Sequence, residues 1–109
     1  MIEGACHCGA VRMQVATLPE SLNDCQCNHC QKRGTLWAYF PKGEVTVVGE
    51  TTTYLTGPRR IAFHFCPTCG CTTHWTPVDP KRDRVGINAR LLDRAVLAGV
   101  PIRQSPGPR

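Results

Sequence analysis

Residues 60–75, RIAFHFCPTCGCTTHW, contain two short strand patterns that flank a cysteine pair. Apolar residues alternate along RIAFHF with a period of two, which is typical of a half-buried strand. Cys66 and Cys69 follow with the C-x-x-C spacing of a zinc knuckle, and Gly70 permits a positive φ directly after them. CTTHW continues as a second strand. The stretch therefore predicts a β-hairpin whose turn carries two metal ligands.

A similar half site opens the chain, where Cys6 and Cys8 are followed by Gly9. Cysteines this close bridge each other poorly, because a disulfide needs Cα atoms about 4.4–6.8 Å apart with converging side chains. They can converge on one ion instead, and two half sites make one four-cysteine site. We expect Cys6 and Cys8 to join Cys66 and Cys69 around a structural zinc, which would fasten the N-terminus to the second half of the chain.

A third group, Cys25-x-Cys27-x-x-Cys30, offers three thiols and no obvious fourth ligand. Three protein ligands with an open position are typical of a reactive zinc site. The alternatives are a closed structural site or redox thiols without metal. The candidates for a fourth ligand are Cys71, His29, His64 and His74.

The rest of the chain predicts an all-β domain of small antiparallel sheets. Residues 17–24 predict a loop, and residues 91–96 predict one or two helical turns. Strands 44–49 and 51–56 follow each other closely enough to suggest a hairpin. We expect one domain over residues 1–100 and a flexible tail over 101–109. The other predicted strands are 10–16, 35–40 and 85–88.

Composition limits the classes of function. The net charge is +5, but the basic residues are scattered without an aromatic-interleaved stripe, so we expect no nucleic-acid partner. No apolar run approaches the roughly 20 residues of a membrane span, and no signal peptide is evident. We therefore expect a cytoplasmic protein with reduced thiols. Oligomeric state is left open.

The motifs together resemble the glutathione-dependent formaldehyde-activating enzyme family, which also contains a centromere protein. The resemblance rests on four motifs in order, from about residue 4 to 92. They are GACHCG at 4–9, CQCNHC at 25–30, FCPTCG at 65–70 and INAR at 87–90.

The resemblance implies a β-tent fold and two zinc ions per chain. One is a structural zinc on Cys6, Cys8, Cys66 and Cys69, and the other is a functional zinc on Cys25, Cys27 and Cys30. It implies a carbon–sulfur lyase that acts on adducts of a thiol, glutathione, and an aldehyde, formaldehyde. Asn88 and Arg90 match the Asn-x-Arg motif of the family, and Arg90 could pair with a substrate carboxylate.

Two features work against direct transfer of this activity. The chain is short for the named enzyme, and Cys71 is an additional thiol outside the core motifs. A zinc-stabilised binding or scaffolding module without catalysis is the main alternative, and a thiol redox or metal-handling protein is another. Trp37, Tyr39 and Trp75 are expected in the core or at the border of a pocket.

Overall fold

A computed structural model describes residues 1–56 and 59–106 and is mostly β. Within these ranges ten strands form a three-stranded and a seven-stranded sheet. The two α-helices are short, α1 (Asn28–Arg33) and α2 (Arg94–Leu97), and 3₁₀ turns lie at Lys42–Glu44 and Ala89–Leu91. The strands are β1 (Ile2–Ala5), β2 (Arg12–Val15), β3 (Leu22–Cys25), β4 (Trp37–Phe40), β5 (Val45–Val48), β6 (Thr52–Leu55), β7 (Ile61–Phe65), β8 (Thr72–Pro77), β9 (Val85–Asn88) and β10 (Ile102–Ser105).

The small sheet has the order β1-β2-β5, and all its pairs are antiparallel. Its central strand β2 alternates exposed and buried residues, so that Met13 and Val15 point inward. This alternation is the period of two that the sequence predicts, and it places one face of the sheet on the core.

The large sheet has the order β10-β3-β4-β9-β8-β7-β6. Its main core packs against the small sheet and contains Ala38 and Phe40 from β4 and Val85 and Ile87 from β9. The predicted hairpin over 60–75 is confirmed, since β7 and β8 pair antiparallel with the cysteine turn between them. Within the described ranges, none of the helices has the length and apolar character that a membrane crossing requires.

Two expectations about local structure are corrected, and a third is confirmed with shifted bounds. Strands β5 and β6 do not form a hairpin, because β5 pairs with β2 and β6 pairs with β7 in the other sheet. The predicted loop at 17–24 ends in β3, whose only apolar residue before Cys25 is the buried Leu22. The predicted helical turns near 91–96 correspond to the 3₁₀ turn at Ala89–Leu91 and to α2.

The expected flexible tail begins in a strand. Ile102–Ser105 pairs with β3 in parallel, and Leu22 N–H donates to the carbonyl of Pro101 at 2.9 Å while Gln26 N–H donates to that of Ser105 at 2.8 Å. Backbone hydrogen bonds rather than apolar side chains hold this segment, since most of it is exposed. Residues 107–109 lie outside the described part of the chain.

Candidate metal centres and the pocket beside the second

The first cysteine cluster joins two turns from distant parts of the chain. The Sγ atoms of Cys6, Cys8, Cys66 and Cys69 all lie within 4.8 Å of one another, as the sequence predicts. The two turns are built alike: the N–H of Cys6 donates to the carbonyl of Val11, and that of Cys66 to the carbonyl of Cys71, both at 3.0 Å. Both are completed by a glycine with positive φ, 80° at Gly9 and 81° at Gly70.

This cluster fits a tetrahedral metal ion. The Sγ atoms of Cys6 and Cys8 are 3.6 Å apart, as are those of Cys8 and Cys66. Zn–S bonds of about 2.3 Å in a tetrahedron place sulfurs roughly 3.8 Å apart, which matches closely. The backbone N–H of Val11 also donates to Sγ of Cys6 at 3.3 Å, which helps to orient this sulfur.

Backbone N–H groups lower thiol pKa values in the same cluster. The pKa of Cys69 falls to about 5, chiefly because the backbone N–H groups of Cys71 and Cys8 point at its sulfur. The pKa of Cys66 is lowered by the backbone N–H groups of Cys69 and Thr68. Because a metal binds the thiolate form, these contacts prepare the cluster for a cation.

The extra thiol, Cys71, packs beside the first cluster with Val11 and Cys69. It is not among the four sulfurs that converge. Its carbonyl accepts from the N–H of Cys66, so Cys71 closes the Cys66–Cys69 turn.

The second cluster lies where β3 passes into α1. Cys25 is the last residue of β3, Cys27 is the N-cap of α1, and Cys30 lies in its first turn. Their three Sγ atoms lie within 4.8 Å of one another. The N–H of Cys30 donates to Sγ of Cys27 at 3.4 Å, and the indole N–H of Trp37 donates to Sγ of Cys30 at 3.3 Å.

No fourth Cys, His, Asp or Glu from residues 1–56 and 59–106 joins these three sulfurs. Of the candidates named above, His29 packs its ring on Phe63 with centroids 4.1 Å apart. Its two ring nitrogens are buried and lack a hydrogen-bond partner among the described residues. The chemistry of three clustered thiols fits a metal cation.

Burial and hydrogen bonds act in opposite directions on these thiols. Burial raises the pKa of Cys30 to about 12, although the Trp37 indole N–H works against it. Burial also acts to raise the pKa of Cys27, but the Cys30 backbone N–H and neighbouring thiols overcome it, and this pKa is lowered. A bound cation would keep all three as thiolates, because it replaces their protons.

The other two candidate ligands, His64 and His74, stack on each other with centroids 4.1 Å apart. His64 is bonded through Nδ1 to Thr51 Oγ1 at 2.8 Å and through Nε2 to Thr76 Oγ1 at 2.9 Å. Burial lowers the pKa of His64, and burial together with the neighbouring His64 lowers that of His74 to about 4. The two histidines thus form an uncharged cross-strand pair in the β7–β8 hairpin.

A pocket of about 930 Å³ opens beside the second cluster. All three cysteines of the cluster and His29 line it, and its wall is aromatic. The aromatic residues of the wall are Trp37, Tyr39, Phe63 and Trp75. The expectation that Trp37, Tyr39 and Trp75 lie in the core or at a pocket is confirmed, and Trp37 does both, since it is only 1% exposed.

The residues predicted to bind substrate lie elsewhere. Asn88 is buried, and its Oδ1 accepts from the N–H groups of Leu36 and Arg90 at 3.3 Å while its Nδ2 donates to the carbonyl of Thr72 at 2.8 Å. Arg90 is exposed, and neither residue is among the described residues that line the pocket. The structure thus gives Asn88 a role in joining three backbone segments.

The basic rim of the pocket was not predicted from the sequence. Four arginines line it, and they come from two loops that are distant in sequence. They are Arg59 and Arg60, before β7, and Arg82 and Arg84, before β9. Only the scattered basic pairs in those loops could have signalled it, and their convergence depends on the β7–β8–β9 arrangement.

Together these features define a small β protein with two cysteine clusters, one closed by four thiols and one of three thiols that faces a pocket. The chain matches the family "Glutathione-dependent formaldehyde-activating enzyme" over residues 1–104 and belongs to it. It is also similar to the crystal structure of a Rhodobacter sphaeroides protein, a structural genomics target. That similarity has 31% sequence identity and a TM-score of 0.74, and covers 93% of this chain and 99% of the other.

Proposed function

We propose that this protein is a zinc-dependent carbon–sulfur lyase that makes or breaks adducts of a glutathione-like thiol and a formaldehyde-like aldehyde. One observation carries the proposal: the three-thiol cluster of Cys25, Cys27 and Cys30 lines a pocket large enough for a peptide-sized thiol. The proposed ligands of the structural zinc are Cys6, Cys8, Cys66 and Cys69. Family membership supports the same reaction class.

Zinc held by Cys25, Cys27 and Cys30 would lower the pKa of a substrate thiol and favour its thiolate. The residues around the cluster fix its geometry: the Trp37 indole N–H and the N-cap arrangement of Cys27 orient two of the three sulfurs. Such outer contacts set how a ligand sulfur points, because they leave it few alternative rotamers.

The aromatic wall would exclude water and hold the aldehyde carbon next to the substrate sulfur. In the forward direction the sulfur attacks the carbonyl carbon, one carbon–sulfur bond forms, and the carbonyl oxygen takes the proton that the thiol gives up. In the reverse direction the same bond breaks and the thiol and aldehyde are released. The proposed site suits the cytoplasm, since all eight cysteines are free thiols.

Metal analysis of the purified protein tests the cofactor. We expect two zinc ions per chain in the wild type, one in Cys27→Ala with the fold retained by circular dichroism, and two in Cys71→Ala as the matched control. A single zinc in the wild type would refute the second site.

The activity is tested by the rate at which glutathione and formaldehyde exchange with their adduct, followed by exchange NMR. We expect the wild type to accelerate this exchange and Cys27→Ala to leave it at the uncatalysed rate. Two bound zinc ions without acceleration and without thiol binding would favour the non-catalytic binding module instead.

A further inference from the structure

One arginine of the pocket rim differs from the other three because a ring of the pocket wall holds it. The guanidinium carbon of Arg84 lies 4.2 Å from the centroid of the Tyr39 ring. Arg84 is itself exposed, and Tyr39 is half-buried. A cation over the face of an aromatic ring is attracted to it by the ring quadrupole, so this side chain has a preferred place at the pocket mouth.

The Tyr39 side chain is itself held in place by neighbouring residues. Its hydroxyl accepts a hydrogen bond from the side-chain amide of Asn23 on β3, and its ring contacts Trp75 with centroids 6.0 Å apart. Its backbone lies in the middle of the sheet, between β3 and β9. The guanidinium of Arg84 therefore lies over a ring that the fold holds through both its hydroxyl and its edge.

A guanidinium that lies over an aromatic ring keeps N–H groups free for hydrogen bonds with another partner. Because the ring covers only one face, the edge that binds a carboxylate in a two-point arrangement remains available. The acidic residue that lines the same pocket, Asp79, uses Oδ1 to accept from the backbone N–H of Lys81 at 2.9 Å, within its own turn. Since four arginines and this one aspartate line the pocket among the described residues, its charged lining carries a positive excess.

We propose that Arg84, positioned by Tyr39, is a specificity-determining residue that recognises a carboxylate of the thiol substrate and selects acidic thiols over neutral ones. The inference rests on the proposed function, because it assigns the pocket to the substrate. Lysine could not replace this arginine, since an ammonium group lacks the flat fork that both stacks on the ring and pairs with a carboxylate.

The test uses two probes that cannot bind a metal through a free thiol, S-methylglutathione and its diethyl ester. Isothermal titration calorimetry on the zinc-loaded full chain gives the ratio of the two affinities. We expect the wild type to bind the acid at least about tenfold more tightly than the ester, as a charge-assisted hydrogen-bond pair provides. Arg84→Gln and Arg84→Lys should reduce this ratio by about tenfold and leave binding of the ester nearly unchanged.

Two further pairs of variants separate a fixed guanidinium from a general positive field. Tyr39→Phe, which keeps the ring, should retain most of the preference for the acid, and Tyr39→Leu should lose it. Arg94→Gln removes the same charge from an exposed position outside the pocket lining and should change nothing. Thermal unfolding of each variant checks that the fold is intact.

Several results would overturn the inference. These are a wild type that does not distinguish acid from ester or binds neither, an Arg84→Gln variant that keeps the preference, and an Arg82→Gln variant that loses as much. The proposed function fails separately, in the exchange of glutathione, formaldehyde and adduct. A protein that shows the Arg84-dependent preference but does not accelerate that exchange would keep this inference and lose the lyase.

Discussion

Gly86 is the residue on which the aromatic wall of the pocket depends. It lies on β9, paired with Trp75 of β8 on one side and with Tyr39 of β4 on the other. A Cβ atom at this position would lie 2.6 Å from Cδ1 of the Trp75 indole and closer still to Nε1 and Cε2. The indole of Trp75 therefore lies directly over the backbone of residue 86, where only glycine leaves room for it.

We expect Gly86→Ala to displace the Trp75 side chain into the pocket. Overpacking of this kind costs about 1–3 kcal/mol, and loss of the Trp75 contact with Tyr39 adds roughly 0.5–1.5 kcal/mol. A total of about 1.5–4.5 kcal/mol corresponds to a decrease in Tm of roughly 7–20 °C for a domain of this size. The displaced indole would also fill part of the space for substrate, so binding of a pocket ligand should weaken along with stability.

Urea unfolding with a double-mutant cycle tests this reasoning. Trp75→Leu removes the indole, so Gly86→Ala should cost much less in that background than in the wild type. Gly43→Ala serves as the control, because a Cβ there has no heavy atom within 4 Å. An equal cost of Gly86→Ala with and without the Trp75 indole would refute the argument, because the backbone and not the side chain would then be responsible.

Other consequences of the structure can be measured in the same way. Trp37→Phe removes the N–H donor to Cys30, and we expect zinc at the second cluster to be about 10–100-fold weaker against a competing chelator, with the first zinc unaffected. Asn88→Ala leaves buried backbone groups unpaired and should reduce the free energy of unfolding by roughly 2–4 kcal/mol, measured by urea denaturation. Because the pKa of His74 is lowered to about 4, its neutral form stabilises the fold above about pH 6.5 and this contribution is lost as pH falls toward 4. The stability difference between wild type and His74→Gln should therefore shift against the wild type by about 2 kcal/mol from pH 7 to pH 5, and an unchanged difference would contradict the assigned pKa.

The elements that can be predicted from the sequence are those whose residue pattern lies within a short continuous segment. The alternating residues of β2 and β7 and the cysteine turn before β8 all carry their signal within a few neighbouring positions. Strands β3 and β10 carry no such local pattern. Their segments, LNDC and IRQS, have no period of two, and a parallel pair between them is held by backbone groups that any sequence possesses.

Some residues of the candidate site could likewise be predicted from the sequence, and others could not. The three thiols of the second cluster, and each cysteine pair of the first, follow from the spacing of residues that are close in sequence. That the two distant pairs share one site follows from ligand counting, and the structure brings both groups together as expected. The basic rim is different, because Arg60 and Arg84 belong to loops that meet only once the sheet has formed. The Asn-x-Arg motif predicted that Asn88 and Arg90 bind substrate. In the structure Asn88 is buried and forms hydrogen bonds with the backbone of Leu36 and Thr72.

The two clusters are connected through the β7–β8 hairpin. Cys66 and Cys69 form its turn, and the strands that leave this turn carry Phe63 and Trp75 into the wall of the pocket. The partner thiol Cys8 is 58 residues away from Cys66 along the chain, so a metal at the first cluster restricts a long loop as well as the turn itself. The second cluster is local instead, since its three thiols lie within one short segment at the start of α1. A metal at the first cluster would thus fix the pocket wall that faces the second cluster. We therefore expect removal of that metal to disable the pocket, even if Cys25, Cys27 and Cys30 still bind an ion of their own.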